Sequence, residues 1–191
     1  MNRNLLLMIL ILAVASATCI AGTLEGKVST GNSVVYVDTI AGKTFPAPSK
    51  TALISQRGLA FVPHVTVVQE GTTVDFQNDD SVQHNVFWPS VGGNKKDAHN
   101  MGTWPQGDKR SYKFSRSGVV PLLCNVHPEM SGYLIVSPTP YFVQTDASGN
   151  FKIDNIPDGK YTVVVWHEGS KPVNKSVNVA GTGKVDFTIT Q

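Results

Sequence analysis

The sequence predicts an all-β protein built from two β-sandwiches. After residue 21, short segments rich in Val, Ile, Thr, Phe and Tyr alternate with turns containing Gly, Asn, Asp and Pro. No stretch there has the apolar period of a long amphipathic helix. The length of 191 residues allows one large domain or two small ones. Together these observations favour sandwiches of short strands.

The composition excludes several classes of protein. Gly (17) and Pro (11) occur at ordinary frequencies, which excludes collagen-like and low-complexity chains. A formal net charge of +2 argues against nucleic acid held on a strongly basic face. Two cysteines cannot build a disulfide-rich mini-protein. The five histidines limit the number of metal sites and are too few for a multi-copper oxidase.

Residues 1–21 have the pattern of a secretory signal peptide. Arg3 stands in a short polar start, residues 5–15 are apolar, and small residues follow. A transmembrane helix needs about 20 apolar residues, so this run is too short to span a membrane. Two A-x-A-type cleavage sites precede Thr18 and Gly22. We expect an exported protein, periplasmic or extracellular, with no transmembrane segment in its mature chain.

Cys19 has two interpretations. Cleavage after Ala21 removes both Cys19 and Arg3, which leaves Cys124 as the one cysteine of the mature chain. Alternatively Cys19 is lipidated and tethers the protein to a membrane. Thr18 before the cysteine fits a lipidation motif poorly, so we favour removal. A lone cysteine in an oxidising compartment is either a liability or occupied by a ligand.

Two proline-rich seams, around residues 45–48 and 137–140, divide the mature chain because proline cannot donate to a strand ladder. The predicted strands are Leu24–Ser29, Val34–Ile40, Thr66–Val68, Thr73–Gln77, Tyr112–Phe114, Val119–Leu123, Gly132–Val136, Phe142–Thr145, Phe151–Ile153, Tyr161–His167, Ser176–Val179 and Val185–Thr190. Residues 91–110, which hold His99, are rich in Gly and charge and are expected to form a long surface loop.

The tail resembles a carboxypeptidase regulatory-like (transthyretin-like) module. The resemblance lies in residues 145–153 and 156–161, and in a G-x-V strand beginning at Gly26. We therefore expect one discontinuous β-sandwich made of residues 22–46 and 141–191, with residues 49–137 inserted into it, since insertion at exposed loops is tolerated. Two sequential domains are the alternative.

The strongest chemical signal is a C-x2-H-x2-M motif formed by Cys124, His127 and Met130, with His84 earlier in the chain. A thiolate, two imidazoles and a distant thioether form the trigonal His2Cys site with a weak axial Met that characterises blue copper centres. Met is a poor zinc ligand. A binuclear copper centre would need a second cysteine beside Cys124, which the sequence lacks.

Residues 51–137 resemble the cupredoxin family, particularly plastocyanin and amicyanin. The match includes Phe61-Val62-Pro63 and the run 67–78, and the short ligand loop has the amicyanin length. The resemblance implies a Greek-key β-sandwich with one type 1 copper ion. It makes His84, Cys124 and His127 equatorial ligands and Met130 the axial ligand, with Asn85 tying the two ligand loops together.

Other positions near the motif yield further expectations. Val126 stands where many related loops have proline, so we expect its N–H to donate to the Cys124 sulfur. The family's partly exposed ligand-loop histidine implies that electrons pass through the edge of His127. The candidate docking surface comprises Phe87, Trp88, Pro89, Pro128 and Glu129.

The leading hypothesis is an exported blue-copper protein that carries single electrons between redox partner proteins and turns over no substrate. The first alternative is a periplasmic protein for copper storage or delivery, with a labile Cu(I) site. The second alternative is a surface-binding module in which copper has a mainly structural role.

Overall fold

The computed structural model describes residues 21–189, so the predicted signal peptide and Cys19 lie almost wholly outside the described residues. Within these residues a 3-10 turn spans Lys95–Asp97. The strands are β1 (Ala21–Lys27), β2 (Val34–Val37), β3 (Ala52–Gln56), β4 (Phe61–Val62), β5 (Val65–Gln69), β6 (Thr73–Asn78), β7 (His84–Trp88), β8 (His99–Trp104), β9 (Lys109–Lys113), β10 (Gly118–Leu123), β11 (Ser131–Ser137), β12 (Phe142–Gln144), β13 (Asn150–Pro157), β14 (Gly159–Trp166), β15 (Val173–Val179) and β16 (Thr182–Lys184).

The middle of the chain forms a sandwich of two sheets. One sheet has the strand order β5-β11-β10-β7-β8 and the other β4-β3-β6-β9. Their inner faces enclose a continuous apolar core that includes Phe76, Trp88, Trp104, Leu122 and Leu134. Alternate residues of each strand face inward, which is why β6 and β7 bury Val74, Phe76, Val86 and Trp88. This rigid core holds the loops at both ends of β10.

The two ends of the chain pair with each other. β1 lies between β13 and β16, and β2 lies between β12 and β14, with β15 at the edge of that second sheet. A separate apolar core, which includes Leu24, Val37, Ile156, Val163 and Phe187, fills the space between these sheets. We call residues 21–46 and 141–189 the accessory sandwich.

A small third core joins the two sandwiches. Val34, Ile135 and Trp166 are buried together, with Tyr36 and Tyr133 packed against them. The Trp166 and Tyr133 rings are 5.0 Å apart. Beside them, His64 Nε2 lies 2.7 Å from Glu168 Oε2. The faces of β2 and β14 therefore lie against those of β5, β10 and β11.

The all-β prediction is confirmed, with differences at several elements. The loop expected over residues 91–110 contains β8, which pairs along β7. β3, β4 and β7 were absent from the predicted strands, and the last strand lies at Thr182–Lys184 rather than Val185–Thr190. Within that predicted segment, Phe187 makes an isolated parallel bridge to Val28. Among the described residues, no helix is long and apolar enough to cross a membrane.

Candidate metal centre

Three of the predicted ligands meet at one end of the middle sandwich. His84 begins β7, while Cys124 and His127 lie in the loop between β10 and β11. Their ligand atoms all lie within 4.8 Å of one another, and the two Nδ1 atoms of His84 and His127 are 3.1 Å apart. His84 and Cys124 are buried, and His127 is partly exposed. Within residues 21–189 no other group of His, Cys, Asp and Glu comes together in this way.

Met130 lies at the end of the same loop. Its backbone N–H donates to the carbonyl of His127 at 2.9 Å, which closes the loop into a tight turn. Its side chain is 1% exposed and belongs to the same apolar core as Cys124. The thioether is therefore shielded from water.

Asn85 links the loops that carry the ligands. Its backbone N–H donates to Cys124 Sγ at 3.4 Å, and its Oδ1 accepts from the N–H of Asn125 at 3.3 Å. Its amide group also donates to the carbonyl of Gly102 at 2.8 Å. The donor to the sulfur is thus Asn85 rather than Val126. The expected bond from the Val126 N–H to this sulfur is not among the hydrogen bonds of residues 21–189, and 45% of the Val126 surface is exposed.

Asp80 is a site residue that sequence reasoning missed. Its Oδ2 lies 2.8 Å from His84 Nε2, and the backbone N–H groups of Gly58 and Leu59 donate to its two oxygens at 2.7 and 3.0 Å. Burial by itself would raise the pKa of Asp80, but these N–H groups and His84 outweigh it and hold the pKa below its ordinary value. The spacing of four residues to His84 was the available signal, yet a carboxylate at that distance is common in loops.

The structure also corrects the candidate docking surface. Trp88 is fully buried in the core and offers no exposed surface, because alternation along β7 turns it inward. Phe87 is partly buried, whereas Pro89, Pro128 and Glu129 are exposed. Large exposed apolar side chains at the ligand end are Leu59, Val82 and Val126, at 42%, 43% and 45% exposure. Sequence reasoning did not select them for docking.

The donor set itself tests the fit to a metal. A buried thiolate beside two imidazoles suits copper, because sulfur favours Cu(I) and imidazole binds both oxidation states. The Nδ1 atoms of His84 and His127 face each other. The other ring nitrogen of His84, Nε2, is hydrogen-bonded to the carboxylate of Asp80, so Nδ1 is the nitrogen left for a metal. The His84–Cys124–His127 cluster fits a single copper ion.

Comparison with known proteins supports this chemistry. Residues 49–137 match the family model for copper binding proteins of the plastocyanin/azurin family, and residues 130–190 match the model for the carboxypeptidase regulatory-like domain. No curated protein matched the chain.

Solved structures overlap the chain in part. A reduced amicyanin mutant is 20% identical, with a TM-score of 0.43, and the match covers 48% of this chain and 86% of amicyanin. A purple cupredoxin from Nitrosopumilus maritimus is 30% identical, with a TM-score of 0.40 and coverage of 45% and 99%. A copper-containing nitrite reductase from Thermus scotoductus SA-01 is 23% identical, with a TM-score of 0.42 and coverage of 52% and 25%.

Both predicted resemblances are thus confirmed by the family models rather than by these partial overlaps. Residues 49–137 are similar to the copper binding proteins of the plastocyanin/azurin family, and residues 130–190 are similar to the carboxypeptidase regulatory-like domain.

Proposed function

We propose that this protein is an exported one-electron carrier with one type 1 copper ion, and that it turns over no substrate. The observation that carries the proposal is the buried His84–Cys124–His127 cluster, whose second histidine is partly exposed. A buried thiolate confines the metal, while an exposed imidazole edge lets an electron leave without the metal leaving. Bound copper would supply the Cu(I)/Cu(II) couple.

Each ligand has a proposed role. His84, Cys124 and His127 are the equatorial ligands, and Met130 is the weak axial ligand. In support, Met130 is buried in the same apolar core as Cys124, and its backbone N–H is bonded to the carbonyl of His127. These four residue types are the donors of His2Cys sites with a weak axial Met, which serve electron transfer.

The surroundings hold the ligands in place. Asn85 bonds to the Cys124 sulfur and to the Asn125 N–H, and it also bonds to Gly102 on β8. Asp80 orients the His84 ring from its other nitrogen. Ligands fixed by such outer bonds move little when their charge changes, which is what electron exchange requires.

We further propose that a partner protein docks on the ligand end. Val126 and Pro128 are exposed on either side of His127 in the chain, and Glu129 adds one negative charge there. Leu59 is held beside this end by its bond to Asp80. An apolar rim around a partly exposed imidazole would exclude water while permitting fast release of the partner.

The domain division remains our proposal as well. Residues 22–46 and 141–191 would form one discontinuous sandwich that receives residues 49–137 as an insertion. In support, β1 pairs with β13 along seven positions, and β2 pairs with both β12 and β14.

The signal-like segment at residues 1–21 supports export.

Cyclic voltammetry of the copper-loaded protein tests the electron-carrier proposal. We expect one reversible one-electron wave, which disappears in Cys124→Ser because the thiolate is gone. His99→Ser is a matched control, since His99 lies outside the cluster, and its wave should persist. A metal that is released on reduction, or a wave unchanged in Cys124→Ser, would contradict the proposal and favour storage or a structural role.

A further inference from the structure

A buried glutamine crosses the middle sandwich and reaches the strand that carries the first histidine of the cluster. Gln56 is the last residue of β3 and is fully buried. β3 belongs to one sheet of the sandwich, and β7, which begins at His84, belongs to the other. The Gln56 Nε2 donates to the backbone carbonyl of Asn85 at 3.2 Å. This bond therefore joins the two sheets at the residue that follows a predicted copper ligand.

The backbone of Gln56 is itself fixed on both sides. It pairs with Asn78 of β6 and with Phe61 of β4, and its carbonyl accepts from the N–H of Asp79 at 2.9 Å. A side chain that starts from such an anchored strand and is packed in a core has little conformational freedom left to lose when it bonds to Asn85. Gln56 is thus a stiff support rather than a mobile one.

Asn85 lies where the ladder between β7 and β8 is irregular. The register of the two strands shifts between Asn85 and Phe87, and such a bulge locally disrupts the ladder and re-aims the residues beside it. Side chains also hold this segment. The Asn85 Nδ2 donates to the carbonyl of Gly102 and to Asn100 Oδ1, both at 2.8 Å, while Gln56 holds the Asn85 carbonyl from the opposite sheet.

The orientation of Asn85 matters because its backbone N–H donates to Cys124 Sγ at 3.4 Å. Two backbone dihedrals separate the N–H of a residue from its carbonyl, so a bond that fixes the carbonyl also restricts the direction of the N–H. The thiolate carries more negative charge when copper is reduced, and an N–H directed at it stabilises Cu(I) more than Cu(II). Hydrogen bonding around the cysteine sulfur is one of the determinants of the potential of such a centre.

Packing alone does not account for a glutamine at this position. Within residues 21–189 the buried Gln56 Oε1 accepts from no donor, and an unpaired carbonyl in a core costs free energy. The amide cannot turn to pair its oxygen, because the Asn85 carbonyl only accepts and must face the Nε2. An apolar side chain of the same length would fill this space without an unpaired oxygen, so the bond to Asn85 is the feature that explains the residue.

We propose that Gln56 is a positioning residue of the metal centre, which keeps the Asn85 N–H directed at the Cys124 sulfur and thereby raises the reduction potential. The inference rests on the proposed electron-carrier function. Reduction adds one electron to the copper, transfers no proton and breaks no bond, so Gln56 acts only through the orientation of that N–H.

Potentiometry of the copper-loaded protein tests the redox consequence. Gln56→Met removes the amide at nearly the same side-chain length, and the affinity for Cu(I) relative to Cu(II) should fall about tenfold, which lowers the potential by about 59 mV. Gln69→Met is the matched control. It removes a bond of the same kind, from Nε2 to the carbonyl of Pro46 at 3.0 Å, at a residue that is 8% exposed and is bonded to neither ligand loop. Its potential should stay at the parent value.

A second variant separates the bond from the polarity of the core. Gln56→Asn keeps an amide but is one methylene shorter, so it should not reach the Asn85 carbonyl, and its potential should fall as in Gln56→Met. A potential that does not fall in the two Gln56 variants, or an equal fall in Gln69→Met, would overturn the proposal.

Hydrogen exchange of the Asn85 N–H, followed by NMR in the metal-free protein, tests the positioning itself. Gln56→Met should raise its exchange rate about tenfold, and Gln69→Met should leave it unchanged. An unchanged rate in Gln56→Met would overturn the positioning role. This readout separates the two proposals: without a copper couple in voltammetry the electron-carrier proposal fails and the redox consequence fails with it, whereas the exchange rate still decides whether Gln56 positions Asn85.

Discussion

Asp80 is the side chain expected to tune the metal centre. It accepts a bond from the far nitrogen of His84, and a carboxylate there makes the imidazole a stronger donor, which stabilises Cu(II) more than Cu(I). Asp80→Asn should therefore raise the reduction potential. A tenfold loss of Cu(II) affinity relative to Cu(I) corresponds to about 59 mV, which potentiometry can resolve.

Asp79 provides a matched control at the neighbouring position. Its carboxylate bonds to Ser55, Arg57 and Gln77, with no contact to either histidine. Asp79→Asn should leave the potential unchanged. Equal shifts in the two variants would show that the loop's total charge, rather than the bond to His84, sets the potential.

At this scale the sequence predicted which residues approach a metal, and the resemblance gave Asn85 as the link between the ligand loops, but Asp80 and the donor to the sulfur were not predicted. The spacing of Cys124, His127 and Met130 requires one tight loop, and a lone upstream His84 completes a recognisable donor set. The bonds from Asn85 and Asp80 depend on how three loops meet. No local pattern specifies that meeting, and the absence of proline at Val126 does not by itself direct its N–H to the sulfur, whose donor is Asn85.

Among the elements, the pairing of β6 with β9 carries a pH-dependent contribution to stability. Asp75 on β6 accepts from Lys109 at 2.7 Å and from Ser111 at 2.6 Å. The bond from Lys109 first, and that from Ser111 second, hold the pKa of Asp75 below its ordinary value. Its stabilisation is therefore complete above the unfolded pKa, about 3.9, and is lost as the pH falls through the folded pKa.

Asp75→Asn should lower the free energy of unfolding by about 1–2 kcal/mol at pH 7. The difference from the parent protein should shrink as the pH falls below about 4. Urea unfolding of both proteins at pH 7 and pH 3 measures this difference in the free energy of unfolding. A difference that stays constant with pH would contradict the stabilising role of the ionised Asp75.

Gly149 fixes the turn before β13. Its φ is +85°, and a Cβ there would lie 1.9 Å from the carbonyl oxygen of Val28. Gly149→Ala should therefore destabilise the accessory sandwich by more than the 1 kcal/mol or so that backbone freedom alone accounts for. Gly169→Ala is the control, because Gly169 has a φ of +77° but open space around it. Its destabilisation measures the cost of the backbone conformation without a steric clash.

The sequence predicted strands correctly where the apolar residues follow a clear pattern. It missed strands that form because a neighbouring strand pairs with them. The alternation of buried and exposed residues at the start of β13, from Asn150 to Asp154, is visible in the sequence, and so are the continuous apolar runs of β11 and β14. β8 contains Asn100, Gly102 and other weak strand formers, yet it forms because β7 pairs along it and Arg110 donates to the carbonyl of Thr103 at 3.2 Å. Tertiary context overrides propensity at such a strand.

At the scale of the whole molecule, the third core fixes how the two sandwiches lie together. Trp166 is 5% exposed and packs on Tyr133 and Ile135. Burial first, and the neighbouring Glu168 carboxylate second, raise the pKa of Tyr133. These contacts place the turn after β14 beside β11, the strand that follows the ligand loop.

Trp166→Ala should lower the free energy of unfolding by about 3 kcal/mol and leave the visible spectrum of the copper-loaded protein unchanged, because no ligand lies in this core. Trp166→Phe, which keeps an aromatic ring, should lower the free energy of unfolding by less than Trp166→Ala does. An altered copper spectrum in Trp166→Ala would show that the accessory sandwich shapes the metal centre.

The central claim is that one copper ion binds at His84, Cys124 and His127 and changes oxidation state in place. Titration of the metal-free protein with Cu(II), followed by visible absorption, tests it most directly. We predict a thiolate-to-copper band that grows to one equivalent of metal, bleaches with dithionite and returns on reoxidation. A spectrum with no such band, or a band that continues to grow past one equivalent, would contradict the claim.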